Sequence, residues 1–500
     1  MEAKLKRLKE ILAKVKDLQY AQAVLGWDQQ TYMPAGGAAD RAEQLATLAE
    51  LSHSLFTSQE VGALLEDIAP LANDLESDHE DACLLRVTRR QFMKATRLSD
   101  EWVAEHARVT AVAQSVWEKA RELNDFELFR PHLERIIELK RQYSSFFLPY
   151  DHVYDPLLDD FEPGLKTSEV QAIFDTLRRE QVDLIQAIAA RPQVDSSFLH
   201  KKFPEQEQWD FGVEVITRLG YDWKRGRQDR SAHPFTSSLG FSDVRITTRF
   251  HKNYLPMALF GTIHECGHAL YDQGLAASLA RTPLADGASM AVHESQSRMW
   301  ENLVGRSREF WVFFYPRLQE IFPAQLGNVD LDTFYCGINR VEPSLIRVEA
   351  DEATYNLHIM LRLELEIALM EGSLEVRHLP EAWNDRMEAY LGLVPASDAQ
   401  GVLQDIHWSF GGLGYFPTYA LGNLIASQLW EQIQSDVPDL DEHIRRGEFA
   451  PLLGWLRENI HQHGAKYEPQ ILVQKATGSK IDPQPYLRYL RKKFSEIYAL

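Results

Sequence analysis

Apolar residues recur at three- and four-residue spacing along most of the chain, as in LKRLKEILAKVKDL (5–18), LLEDIAPLANDLESD (64–78), FRPHLERIIELKRQY (129–143) and LHIMLRLELEIALMEG (357–372). That period places the apolar positions on one face of a helix, so each stretch predicts an amphipathic helix with a solvated polar face. Ser168 stands ahead of EVQAIFDTLRREQVDLIQAIAA as a capping residue, and Pro192 lies just beyond it as a stop. One region departs from the period. In SAHPFTSSLGFSDVRITTRF (231–250), Val244, Ile246 and Phe250 alternate with Arg245, Thr247 and Arg249, which is strand spacing. With Gly240 in a turn-rich middle and residues 233–237 free to pair back, it predicts a small hairpin that must pack on helices. Such a strand serves either as a structural edge or as a ladder for an extended peptide. No internal repeat, low-complexity tract or Gly/Ser linker interrupts the pattern. The expected architecture is therefore mostly α, a single large domain over 1–500 built as two helical lobes sharing one core.

Composition narrows the function classes. With apolar residues at 45% and charged residues at 25%, 500 residues read as an ordinary globular chain. A formal net charge of -20 repels phosphate backbones and anionic lipid, so neither nucleic acid nor membrane is an expected partner. The one dense cationic cluster, Arg488 to Lys493, reads as the solvated face of a terminal helix. Three cysteines at wide spacing (Cys83, Cys266, Cys336) argue against a disulfide framework. The N-terminal MEAKLKRLKEILAKVKDL lacks the apolar run of a secretory signal, and FWVFFY (310–315) is far shorter than a membrane span. The cytoplasm is the expected compartment.

Candidate chemistry sits in GTIHECGHALYD, residues 261–272. His264 and His268 lie one turn apart on one helix face, so both imidazoles reach one ion, and Glu265 can contact a water on it. Cys266 points to the back of the helix and reads as packing. Gly267 costs helix propensity of about 1 kcal/mol, which suggests a close approach to the backbone at that point. HExxH alone arises by chance in roughly one such chain in twenty, so its surroundings decide. Position 274 is Gly274, which excludes the three-histidine metzincins. A catalytic zinc needs a third protein ligand, and the helical stretch SMAVHESQSRMWENLV (289–304) offers His293, Glu294 and Glu301. Glu294 is the favoured third ligand, with a surface carboxylate as the other reading. Asp272, one turn past His268, either accepts that histidine's second N–H or simply faces solvent.

Six ordered motifs then carry a resemblance: HPF (233–235), DVRIT (243–247), HECGH (264–268), HESQ (293–296), IRVEAD (346–351) and GVLQDIHW (401–408), with WDQQTYMP (27–34) besides. The chain resembles the carboxypeptidase Taq family of metallocarboxypeptidases. The resemblance implies a mostly helical fold with a deep groove, like the neurolysin and angiotensin-converting-enzyme group, and a homodimer. It also implies release of single C-terminal residues with zinc or cobalt as the metal, His264, His268 and Glu294 as ligands and Glu265 as the catalytic carboxylate. An oxyanion donor beyond the metal is expected, and His407 and Tyr415 in QDIHWSFGGLGYFPTY are the candidates, with Tyr419 a weaker choice. Gly411, Gly412 and Gly414 there suggest a mobile, closing loop. For the substrate's terminal carboxylate Arg347 is the first choice and Arg245 the second, unless they pair internally with Asp351 or Asp243; His233 is expected along the same groove. The alternatives are an oligopeptidase or dipeptidyl carboxypeptidase with the same metal chemistry, and a structural metalloprotein without turnover.

Overall fold

The computed structural model describes residues 2–500, so only Met1 of the N-terminal stretch lies outside it. Helices dominate, and most follow the apolar spacing. Glu2–Thr31 buries Leu5, Leu8, Ile11, Leu12 and Val15, and Phe126–Ser145 buries Phe129, Leu133, Ile136 and Ile137. Thr167–Ala189 starts two residues earlier than a cap at Ser168 predicts, so that serine lies inside the helix. Its first turn is closed instead by Glu169, which accepts the Lys166 amide, and by Asp155, which accepts from both N and Oγ1 of Thr167 at 2.8 and 2.7 Å.

Two expectations about polar faces are corrected. Helix Tyr355–Glu371 is not amphipathic in the solvated sense: His358, Arg362 and Glu366, spaced by four, form a polar stripe that is completely buried. Spacing alone cannot distinguish a stripe facing water from one facing buried partners. On the terminal helix Gln484–Tyr498, Arg488 and Arg491 are exposed and pair with Glu431 and Glu180. Lys493, however, is buried, with Nζ 2.6 Å from Glu352 Oε2.

The expected hairpin is present and gains a third strand. Strands β1 (Gln228–Arg230), β2 (Thr236–Gly240) and β3 (Asp243–Thr248) form a sheet in the order β1-β3-β2. β2 runs antiparallel to β3 with Thr236 opposite Ile246, and β1 runs parallel to it with Gln228 opposite the same residue. Val244 and Ile246 are buried against the helices, while Asp243, Arg245 and Thr236 to Ser238 remain part-exposed. One large apolar cluster runs from Ala113 to Tyr498. A smaller one joins residues of the first four helices to Leu279, Leu284 and Ala285. Among the described residues no helix is long and apolar enough to cross a membrane. All three cysteines are free, and Cys266 is fully buried in the core, as its position on the helix predicts.

Candidate metal centre

Helix Leu255–Gln273 carries the HExxH residues, with Pro256 in its first turn where a missing N–H costs nothing. The close approach inferred at Gly267 is real. A Cβ there would lie 2.6 Å from Ser297 Cα and 2.7 Å from Gln296 O, backbone atoms of helix Met290–Arg298. On the opposite flank Gly422, in helix Pro417–Asp436, leaves room for Glu294: a Cβ at Gly422 would sit 2.6 Å from Glu294 Cγ. Two glycines on two helices thus let Glu294 sink to the level of the histidines. Glu294 Oε2 is 3.7 Å from His264 Nε2 and 3.5 Å from His268 Nε2, and the three donor atoms all lie within 4.8 Å of one another. Ligands about 2.0–2.2 Å from a tetrahedral ion stand roughly 3.3–3.6 Å apart, so the donor set fits a single divalent ion.

The surroundings hold each donor in its orientation. With Nε2 of both histidines directed at the shared space, Nδ1 must carry the proton. His264 Nδ1 then donates to Glu301 Oε2 at 2.9 Å. His268 Nδ1 donates to His293 Nδ1 at 2.6 Å, and His293 Nε2 donates to Asp272 Oδ1 at 3.0 Å. The direct His268–Asp272 contact allowed by the sequence is therefore replaced by a relay through His293, and part-buried Asp272 is further held by Ser238. Arg298 Nε donates to Glu294 Oε1 at 2.7 Å and its Nη1 lies 3.3 Å from Glu301. Burial pushes the Glu294 carboxyl up, but Arg298, His264 and His268 outweigh it and hold the group well below the usual carboxylate range. Glu301 is likewise opposed by burial, yet Arg298 and His264 hold it down at about 2. Glu301 stands in a π-helical segment, Met299–Val304, that continues the Glu294 helix with wider turns, a feature frequent at functional sites.

Glu265 is buried beside these donors. Thr236 Oγ1 of β2 lies 2.7 Å from its Oε2 and 2.9 Å from its backbone carbonyl, so one carboxylate oxygen is held and the other left free. Nothing in the sequence singled out Thr236; only the register of the hairpin brings it there.

The second group of expected residues gathers around Tyr355. His407 and Tyr415 are brought together, with ring centroids 5.4 Å apart, and Tyr419 Oη lies 3.4 Å from His407 Nε2. Burial raises the Tyr415 hydroxyl's pKa first, and the Glu294 charge raises it further, which places Tyr415 in the field of the metal-side carboxylate. The glycines after His407 are not a mobile lid: Gly411, Gly412 and Gly414 are buried, and a Cβ at Gly414 would lie 2.4 Å from Leu157 O. They permit close packing.

Arg347 is buried and bound by Asp405, not Asp351: Nε and Nη2 reach Asp405 Oδ1 at 3.1 and 2.8 Å, and Nη1 donates to Tyr355 Oη at 2.9 Å. Asp351 instead accepts the backbone amides of Glu342, Ala353 and Thr354. Arg362 shares Asp405 through Oδ2 at 2.7 Å, so two guanidiniums face one carboxylate. Arg245 is held in a fork by Asp243 at 2.9 and 2.8 Å and stacks on Trp27, its Cζ 4.5 Å from the ring. His233 is exposed, three residues before Thr236.

The profile of the carboxypeptidase Taq (M32) metallopeptidase family matches residues 7–494. The chain belongs to that family. Thermostable carboxypeptidase 1 of Thermus thermophilus is 42% identical over 100% of this chain and 99% of that protein, and carboxypeptidase 1 of Bacillus subtilis is 38% identical over 98% of each. Among solved structures, the M32 carboxypeptidase of Deinococcus radiodurans R1 superposes with a TM-score of 0.97 at 41% identity, covering 100% of both chains. The Trypanosoma cruzi metallocarboxypeptidase 1 superposes at 0.94 and 33%, covering 99% of this chain and 100% of that one. As an M32 member the chain is a metal-dependent carboxypeptidase that hydrolyses peptide bonds. The oligopeptidase and structural-metal alternatives are not favoured.

Proposed function

We propose that this M32 carboxypeptidase releases single C-terminal residues from short or unstructured peptides, using one divalent ion held by Nε2 of His264, Nε2 of His268 and the Glu294 carboxylate. The observation that carries the reading is the convergence of those three donors beside a buried carboxylate, Glu265, that is oriented by Thr236. Two imidazoles and a carboxylate suit zinc best, with cobalt as the alternative. When bound, the ion acts as a Lewis acid that acidifies water and polarises the scissile carbonyl. Glu265 takes the proton from the attacking water through its free oxygen and returns it to the leaving amine.

Tyr415 and His407 supply donors to the negative charge that develops on the carbonyl oxygen, an interaction worth about 3–4 kcal/mol in other hydrolases. Burial lowers the His407 pKa to about 4, aided by Arg347 and Arg362 against Asp405, so His407 is a neutral imidazole at neutral pH. For the substrate's terminal carboxylate Arg347 is the better supported of the two arginines. It shares one counter-ion with Arg362, which leaves net positive charge beside Tyr355 and Tyr419, whereas Arg245 is already matched in a fork by Asp243. Exposed His233 lines the same approach.

The chain is read as a single catalytic domain over 1–500, two helical lobes around a groove that admits extended termini and not folded proteins. Free cysteines suit the cytoplasm. Exposed Val24, Tyr32 and Leu51 leave apolar surface on the N-terminal segment for a second copy in a homodimer.

The test is a mass-spectrometric time course of an N-blocked, unstructured peptide with the metal-loaded protein, run beside Glu265→Gln. Stepwise loss of single residues in the wild type, with kcat reduced at least about 1000-fold in the variant, is expected. Dipeptide or internal products would overturn the single-residue reading.

A further inference from the structure

Glu366 lies in the buried polar stripe of helix Tyr355–Glu371 and forms no ion pair with the described residues. Its carboxylate is instead surrounded by donors. Trp408 Nε1 donates to Oε1 at 2.7 Å; the Gly414 amide donates to Oε2 at 2.9 Å and Tyr154 Oη to the same oxygen at 2.5 Å. Trp408 and Gly414 mark the two ends of the tight glycine segment. His407 stands one residue before the first clamped position and Tyr415 one residue after the second. Gly414 takes φ of +94° and packs so closely on Leu157 that no side chain fits, which locks the same segment from its other side.

We propose that Glu366 is a positioning residue for the peptidase reaction: it fixes both ends of segment 408–414 and thereby sets the position of Tyr415. The inference rests on the reading that the Tyr415 hydroxyl acts as a donor in the reaction. An ionised carboxylate suits three converging donors, because it accepts at both oxygens and donates at neither. Burial raises the pKa of the Glu366 carboxyl to about 7, and the Gly414, Tyr154 and Trp408 donors oppose that rise by favouring the ionised form. Glutamine, nearly isosteric, presents an NH2 to Trp408 in one orientation and to Gly414 and Tyr154 in the other. At least one clamp contact is lost either way, and the segment is free to shift. Displacements of even about 1 Å at reacting groups cost on the order of 100-fold in rate.

The experiment is a double-mutant cycle on the metal-loaded enzyme, with kcat, KM and metal content measured for Glu366→Gln, Tyr415→Phe and the double variant. Tyr415→Phe is expected to lower kcat by about 100-fold. Glu366→Gln is expected to lower kcat by about 10- to 100-fold with KM within about threefold and metal content unchanged, and to add less than about threefold in the Tyr415→Phe background. Trp408→Phe removes one donor without changing Glu366, and carries the same test should Glu366→Gln not fold; its kcat loss is expected at about 3- to 10-fold and is again absent without the Tyr415 hydroxyl. Losses that multiply fully in the double variants, or clamp variants with wild-type kcat, would overturn the positioning role. An unchanged kcat in Tyr415→Phe alone would refute the donor reading itself, and the role of Glu366 with it.

Discussion

Replacing Gly267 by alanine tests how the third ligand is brought to the first two. The added methyl would lie 2.6 Å from Ser297 Cα and 2.7 Å from Gln296 O. These are backbone atoms of the Glu294 helix, so no side-chain rotation relieves the clash. Ordinary contact begins about 0.8 Å further out, and the two helices must separate by something of that order. Overpacking of this kind costs about 1–3 kcal/mol, offset by the roughly 1 kcal/mol that alanine gains in helix propensity, so overall stability should fall only modestly. Metal binding should suffer more. Glu294 Oε2 already stands 3.5 and 3.7 Å from the imidazole nitrogens, and metal sites tolerate deviations of only about 0.2 Å. Loss of ligand geometry by several times that tolerance is expected to weaken metal affinity by at least about 100-fold. Competition against a chromophoric chelator measures the affinity, and thermal unfolding of the metal-free protein measures the packing cost separately. A variant that binds metal like the wild type while its metal-free form is destabilised would refute the argument that helix separation controls the site.

Three further outcomes follow from the same geometry. Glu301→Gln leaves His264 Nδ1 without its charged acceptor, and metal affinity should drop about 10- to 100-fold in the same chelator competition while Glu265 chemistry persists in excess metal. Because burial lowers the His407 pKa from 6.5 to about 4, the folded state binds fewer protons there than the unfolded state, so stability is lost as pH falls from about 6.5 towards 4 and is unaffected above. Urea unfolding at pH 4.5, 5.5 and 7 should therefore show a shallower acid loss in His407→Gln than in the wild type. Arg347→Met should raise KM about 10- to 100-fold for peptides with a free C-terminal carboxylate, from loss of a charge-assisted hydrogen bond, with a smaller change in kcat. Unchanged KM in steady-state assays would remove Arg347 from substrate recognition.

Much of the site is local and therefore legible in one dimension. Two histidines four apart must share a helix face, Gly267 signals a close neighbour, and a second helix bearing Glu294 after a break is the shortest way to a third donor. The β2–β3 hairpin follows from alternation over a few residues. These features depend on periods of two and 3.6, which the order of residues determines by itself. The partners of those residues were decided only by the tertiary structure. His293 enters between His268 and Asp272 because the Glu294 helix docks on the HExxH helix at the level of Gly267. Thr236 reaches Glu265 across 29 positions through sheet register. Arg347 finds Asp405 rather than Asp351, and Arg362 and Glu366 of the buried stripe turn inward rather than to water, because they meet partners about 42 positions away on the segment that carries His407. Spacing records which face of a helix is polar. Whether that face meets solvent or a distant buried carboxylate depends on which elements pack against it, and that is settled only when the whole chain has folded.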